Sequence, residues 1–212
     1  MGLLCGCSSM LPSLSGVENS YILIDPGHGG FDGGTVADDG TVEKHINLSV
    51  SLLLRDLLQV CGIPVRMTRD TDVGLNNGSE DTIRQKKQND MQNRLAMYNQ
   101  AKVVISVHQN HFAQPQYSGA QIFYSNNHSD SLALANCLQK TICKHLQPEN
   151  NREVKAASDG IFLLHHTTVP AVLVECGFLS NPNERQQLVS EAYRQKMAFA
   201  IMAGYFQYAS EK

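Results

Sequence analysis

Ile22-Leu23-Ile24-Asp25-Pro26-Gly27-His28-Gly29-Gly30 is an apolar run that stops at a proline, an imidazole and a cluster of glycines. The same pattern recurs in Val103-Val104-Ile105-Ser106-Val107-His108-Gln109-Asn110 and in Ala171-Val172-Leu173-Val174-Glu175-Cys176-Gly177. Short aliphatic and β-branched runs bounded by Gly and Pro are expected to be buried parallel strands, and an open α/β sheet collects its ligands beyond the carboxyl ends of its strands. Three strands would thus deliver His28, His108 and Glu175 to one edge of one sheet. Glu43 opens the amphipathic stretch from Glu43 to Val60, which predicts it in the first turn of a helix after the His28 loop.

Outward from these runs, strands are expected near 20–25, 63–67, 103–107, 119–124, 161–164 and 171–175. Helices are expected near 43–60, 82–101, 129–146, 182–189 and 190–208. Such alternation predicts a single α/β domain, a mostly parallel central sheet with helices on both faces. The domain is expected over 20–212, after a flexible Ser-, Pro- and Gly-rich tail at 1–19. Ser79 and Asp81 are candidate N-caps for the second helix. The polar stretch from Gln85 to Arg94 reads as a solvated face, and Arg84, Lys86, Lys87 and Arg94 offer donors to an anionic glycan or peptide.

Two imidazoles and a carboxylate suit a catalytic zinc (Zn²⁺) site, which takes three protein ligands and keeps a position open for water. His28, Glu43 and His108 fill that role. Glu175 remains as the proton-transferring carboxylate, because it ends an apolar strand where desolvation can raise its pKa. The glycines from Gly27 to Gly34 let substrate and metal approach the backbone. Asn110 and His111 are candidates to support the ligands or line the substrate groove, and His165 and His166, on a connection between strands, are candidates to face a developing oxyanion. His45 reads as a surface residue or one that supports the ligands, and His128 and His145 read as solvated.

The segments Asp25-Pro26-Gly27-His28-Gly29-Gly30 with Asp32-Gly33-Gly34, Glu43-Lys44-His45-Ile46-Asn47-Leu48, Ser106-Val107-His108-Gln109-Asn110 and Val169-Pro170-Ala171-Val172-Leu173-Val174-Glu175-Cys176-Gly177-Phe178-Leu179-Ser180-Asn181 resemble the zinc-dependent N-acetylmuramoyl-L-alanine amidases of the type-3 amidase family. The resemblance implies zinc ligation by His28, Glu43 and His108, and catalysis by Glu175. It also implies hydrolysis of the amide between N-acetylmuramic acid and L-alanine in peptidoglycan, in an extracytoplasmic setting. Ile83-Arg84-Gln85-Lys86-Lys87 and Gly119-Ala120-Gln121-Ile122-Phe123-Tyr124 are similar to the germination-specific, CwlD-type amidases of spore-forming bacteria, which implies a role in spore cortex maturation. A vegetative autolytic or cell-separation amidase, a metallopeptidase or deacylase with the same ligands, and a non-catalytic wall-binding module remain as alternatives. So does an activating protein partner.

Composition narrows the field. With 212 residues, 42% of them hydrophobic, the chain can bury one sizeable core. A net charge of −3 without a basic, aromatic-interleaved stripe argues against nucleic acid as a partner. No apolar run approaches the roughly 18 residues of a membrane-spanning helix. Leu4-Cys5-Gly6-Cys7 is similar to a lipoprotein cleavage site but lacks the charged start and apolar stretch of a signal peptide; either an upstream signal is missing or the likeness is accidental. The six cysteines show no disulfide framework, and Cys176 is expected in the core, since strand alternation turns it away from the site if Glu175 faces it.

Overall fold

In the computed structural model, which describes residues 21–78 and 80–212, the three runs lie side by side as β1 (Ile22–Pro26), β3 (Val103–Asn110) and β6 (Ala171–Phe178). With β2 (Val65–Met67), β4 (Gln121–Tyr124) and β5 (Lys155–Ala156) they make one sheet ordered β2-β1-β3-β6-β4-β5. Every neighbouring pair is parallel except β4 with β6. Helices α1 (Glu43–Val60), α3 (Asp130–His145) and α6 (Glu191–Ser210) cover one face; α2 (Ile83–Tyr98) and α4 (Phe162–His166) cover the other, and α5 (Pro182–Leu188) follows β6.

Alternation along the strands sorts side chains between the two faces. Ile22, Ile24, Ile105, Val107, Val172 and Val174 join the core under α1, α3 and α6, whereas Leu23, Val104 and Leu173 pack toward α2 and α4. Both faces are covered, so the strands are apolar throughout. Helix α1 buries Ile46, Val50, Leu54 and Leu58, an i, i+4 ladder that faces the sheet. Truncating Leu54, which is fully buried, would cost about 2–5 kcal/mol.

Several expectations are corrected. Residues 161–164 are not a strand: Phe162–His166 is a short helix whose Leu163 and Leu164 enter the α2-side core. A four-residue apolar run has no periodicity that separates a strand from one buried helical turn. Strand β5 was not expected from the sequence. Helix α2 is capped by Thr82, not Asp81, through a reciprocal capping box with Gln85. Arg94, expected on a solvated face, is 1% exposed. It pairs with Asp25 and Asp90, so the apparent polarity of α2 concealed a buried ionic face. The tail at 1–19, with Cys5 and Cys7, and the cap candidate Ser79 lie outside the described residues. Cys176 is buried in the core.

Candidate metal centre

Helix α1 begins without a side-chain cap. Its first amides, Glu43 N–H and Lys44 N–H, donate to the carbonyls of Thr35 and Gly33 at 2.9 and 3.2 Å. The glycine loop after β1 therefore caps the helix, and the start of the helix is fixed against the loop that carries His28. Glu43 Oε1 lies 3.3 Å from His28 Nε2 and 3.1 Å from His108 Nδ1. Possible ligand atoms from the three residues all fall within 4.8 Å of one another.

The backbone is shaped to allow this approach. A Cβ on Gly34 would sit 2.6 Å from Glu43 Oε2 and 2.7 Å from the His28 ring, and one on Gly27 would sit 2.2 Å from the His108 ring. His28 itself has φ 63°, a left-handed conformation that non-glycine residues rarely adopt. Its Nδ1 meets Asp32 Oδ2 at 2.9 Å, which leaves Nε2 facing Glu43. Burial works against a charged His28, yet the hydrogen bonds to Asp32 and Glu43 outweigh it and raise its pKa to about 9. Burial likewise opposes ionisation of Glu43, but the two histidines hold its carboxyl far below the usual range. The cluster thus demands a positive charge beside Glu43, which a divalent cation supplies as well as an imidazolium does. Donor set, spacing and demand for charge all fit zinc.

Glu175 stands next to His108 in the β3–β6 register. Part of the residue reaches solvent, but Oε2 is buried and has no hydrogen-bond partner. Burial first, and then the charge of Glu43, push its pKa up to about 8. With Oε2 sequestered from water, the carboxyl can hold or release a proton near neutrality.

A cavity of about 370 Å³ opens over these groups and is lined by His28, Glu43, His108, Glu175, Asn110 and His111 among others. His165 and His166 do not line it. They sit on α4, within the connection from β5 to β6, where His165 lies 3.5 Å from Asp159 and His166 packs on Phe162. Sequence reading did not single out Asp32 as the partner of His28, or Asn47, whose Nδ2 donates to Glu43 Oε1 and to the Gly27 carbonyl at 3.2 Å each. Asn47 was findable: it lies four residues after Glu43, on the same helical face. Asp32 lay in a loop with no period to follow.

Fold and cluster define a class: an α/β enzyme with a His–Glu–His cluster suited to one metal ion and a second, protonatable carboxylate beside it. Residues 22–206 match the family described as N-acetylmuramoyl-L-alanine amidase. The germination-specific N-acetylmuramoyl-L-alanine amidase of Bacillus subtilis is 36% identical over 198 residues, which cover 92% of this chain and 82% of that protein. AmiA of Escherichia coli is 27% identical over 88% of this chain and 75% of its own length. The CwlD amidase of Clostridioides difficile, solved in complex with the GerS lipoprotein, superposes with a TM-score of 0.87 at 40% identity, covering 92% of this chain and all of that one. The chain belongs to the N-acetylmuramoyl-L-alanine amidase family and is an enzyme of that class.

Proposed function

We propose that this enzyme cleaves the amide between N-acetylmuramic acid and L-alanine in peptidoglycan, with zinc held by His28, Glu43 and His108 and with Glu175 as the proton carrier. The observation that carries the reading is the unpartnered, buried Glu175 Oε2 beside the three-residue cluster. Zinc on such a ligand set supplies a Lewis acid toward carbonyl oxygen and toward water. Glu175 accepts the proton that the attacking water gives up, then delivers it to the nitrogen of the departing alanine and returns to the carboxylate. With a cation held by His28, Glu43 and His108, the Glu43 charge that raises the Glu175 pKa would be offset, and Glu175 would exchange its proton nearer neutrality. Asn110 and His111, at the mouth, are placed to contact substrate. Residues 20–212 form the amidase domain in this reading.

The likeness to the Bacillus subtilis germination-specific amidase favours a role in spore cortex maturation over vegetative autolysis, and action on peptidoglycan supports an extracytoplasmic setting. A protein partner is supported by the Clostridioides difficile relative, which was solved with a lipoprotein. No described helix is long and apolar enough to cross a membrane. Mass spectrometry of digested sacculi tests the chemistry: muramic acid residues should lose their whole peptide, exposing N-terminal alanine. Cleavage of free peptides with intact sacculi would support the metallopeptidase alternative. Loss of the gene should spare vegetative growth and leave cortex without muramic-δ-lactam; chained cells with normal lactam would indicate a cell-separation amidase.

A further inference from the structure

Helix α2 reaches His28 at two points. From one turn, Lys87 Nζ meets Asp32 Oδ1 at 3.1 Å, while the other Asp32 oxygen holds His28 Nδ1 at 2.9 Å. Two turns further on, Arg94 Nη2 donates to the His28 carbonyl at 2.7 Å and Nη1 donates to the Pro26 carbonyl at 3.0 Å. Lys87 and Arg94 are seven residues apart, the spacing that puts two side chains on the same helical face. Asp90 lies between them on that face, accepting from Arg94 Nε at 2.6 Å and from the Leu75 amide at 2.6 Å. Arg94 also pairs with Asp25, which Thr68, Tyr98 and Ser106 bind as well. From outside the helix, Arg69 donates to the carbonyls of His28 and Gly27 at 2.7 and 3.0 Å.

We propose that α2 is the positioning element of the metal centre, with Lys87 setting the ring of His28 through Asp32 and Arg94 holding its backbone in the left-handed conformation. This rests on the reading of His28 as a ligand. Neither side chain need touch the metal or the reacting atoms. A ring anchored at Nδ1 keeps Nε2 directed at Glu43, and a backbone held at the carbonyl cannot relax to the conformations an unrestrained histidine prefers. The apparently solvated, cationic helix is thereby coupled to metal affinity.

The test measures the zinc dissociation constant by competition with a chromogenic chelator, alongside the thermal midpoint of the metal-free protein. Lys87 is half exposed, so Lys87→Met leaves the fold intact. Loss of an outer partner typically weakens metal binding by about 10–100-fold. Lys87→Met should fall at the lower end of that range with an unchanged thermal midpoint, and Lys87→Arg should restore wild-type affinity. Asp32→Asn should weaken zinc at least as much, and Arg94→Lys should lower affinity and midpoint together. Should Arg94→Lys fail to fold, Lys87→Met and Asp32→Asn decide. Wild-type affinity in both of those variants, with zinc lost in His28→Ala, would overturn the positioning role alone. Undiminished zinc binding in His28→Ala would overturn the ligand reading and this inference with it.

Discussion

Glu43 at the start of α1 and Glu175 within β6 line one cavity with the same two histidines, and the two carboxyl groups are driven in opposite directions. Glu43 accepts from the amides of Thr35 and Gln109 and from Asn47, besides meeting both imidazoles, and is held ionised. Glu175 has an oxygen with no donor at all, and its pKa climbs to about 8. Burial penalises both charges; the imidazoles that bind Glu43, and the Glu43 charge and missing donor beside Glu175, decide the outcome. A helix start offers donors and a fixed cap, whereas a position within a central strand offers a slot beside its neighbour. The first suits a ligand and the second a proton carrier.

That contrast can be broken most severely by exchanging charge for amide. Glu175→Gln should lower turnover by about 10²–10⁴-fold while zinc per chain stays near that of wild type. Glu43→Gln or His108→Ala should lose zinc and activity in parallel. Zinc loss in Glu175→Gln would make Glu175 a ligand and the proton carrier would have to be reassigned.

Acid–base behaviour gives a second, smaller effect. In metal-free protein the folded pKa of Glu175 lies above its ordinary 4.5, so its contribution to stability is complete below pH 4.5 and is lost as pH rises through about 8. Chemical denaturation at pH 4 and pH 8.5 should therefore show Glu175→Gln gaining on wild type at the higher pH, by up to a few kcal/mol. A difference independent of pH would mean that Glu175 is not desolvated.

On the Glu43 side, Gly34→Ala places a methyl against Glu43 Oε2 and the His28 ring at φ +68°. It should cost about 1–2 kcal/mol of stability from the backbone alone, and zinc affinity should drop. A comparable effect is expected from Asn47→Ala, which removes the donor to Glu43 and the Gly27 carbonyl and the acceptor of Gln109 Nε2, and should cost about 1–3 kcal/mol by thermal denaturation. A larger loss there than in Gly34→Ala would show that Asn47, through the Gly27 carbonyl, anchors the loop as well as Glu43.

The sheet was legible in the sequence because buried parallel strands are written as continuous aliphatic runs, and the four residues of the cluster and its neighbour stood at the ends of such runs or at a helix start. Residues that act through others were not legible. Arg94 appeared solvated because an ionic face buried against Asp25 has the same composition as one facing water. Asp32 and Lys87 come from a loop and a helix whose proximity exists only after folding. Residues 161–164 offered too few positions to carry a period.

The outermost strands of the sheet, β2 and β5, are only three and two residues long. Edge strands expose unpaired amides and carbonyls that can recruit another chain, and their brevity leaves almost no template for it. The sheet thus carries its protection against strand-to-strand aggregation in the shortness of its margins.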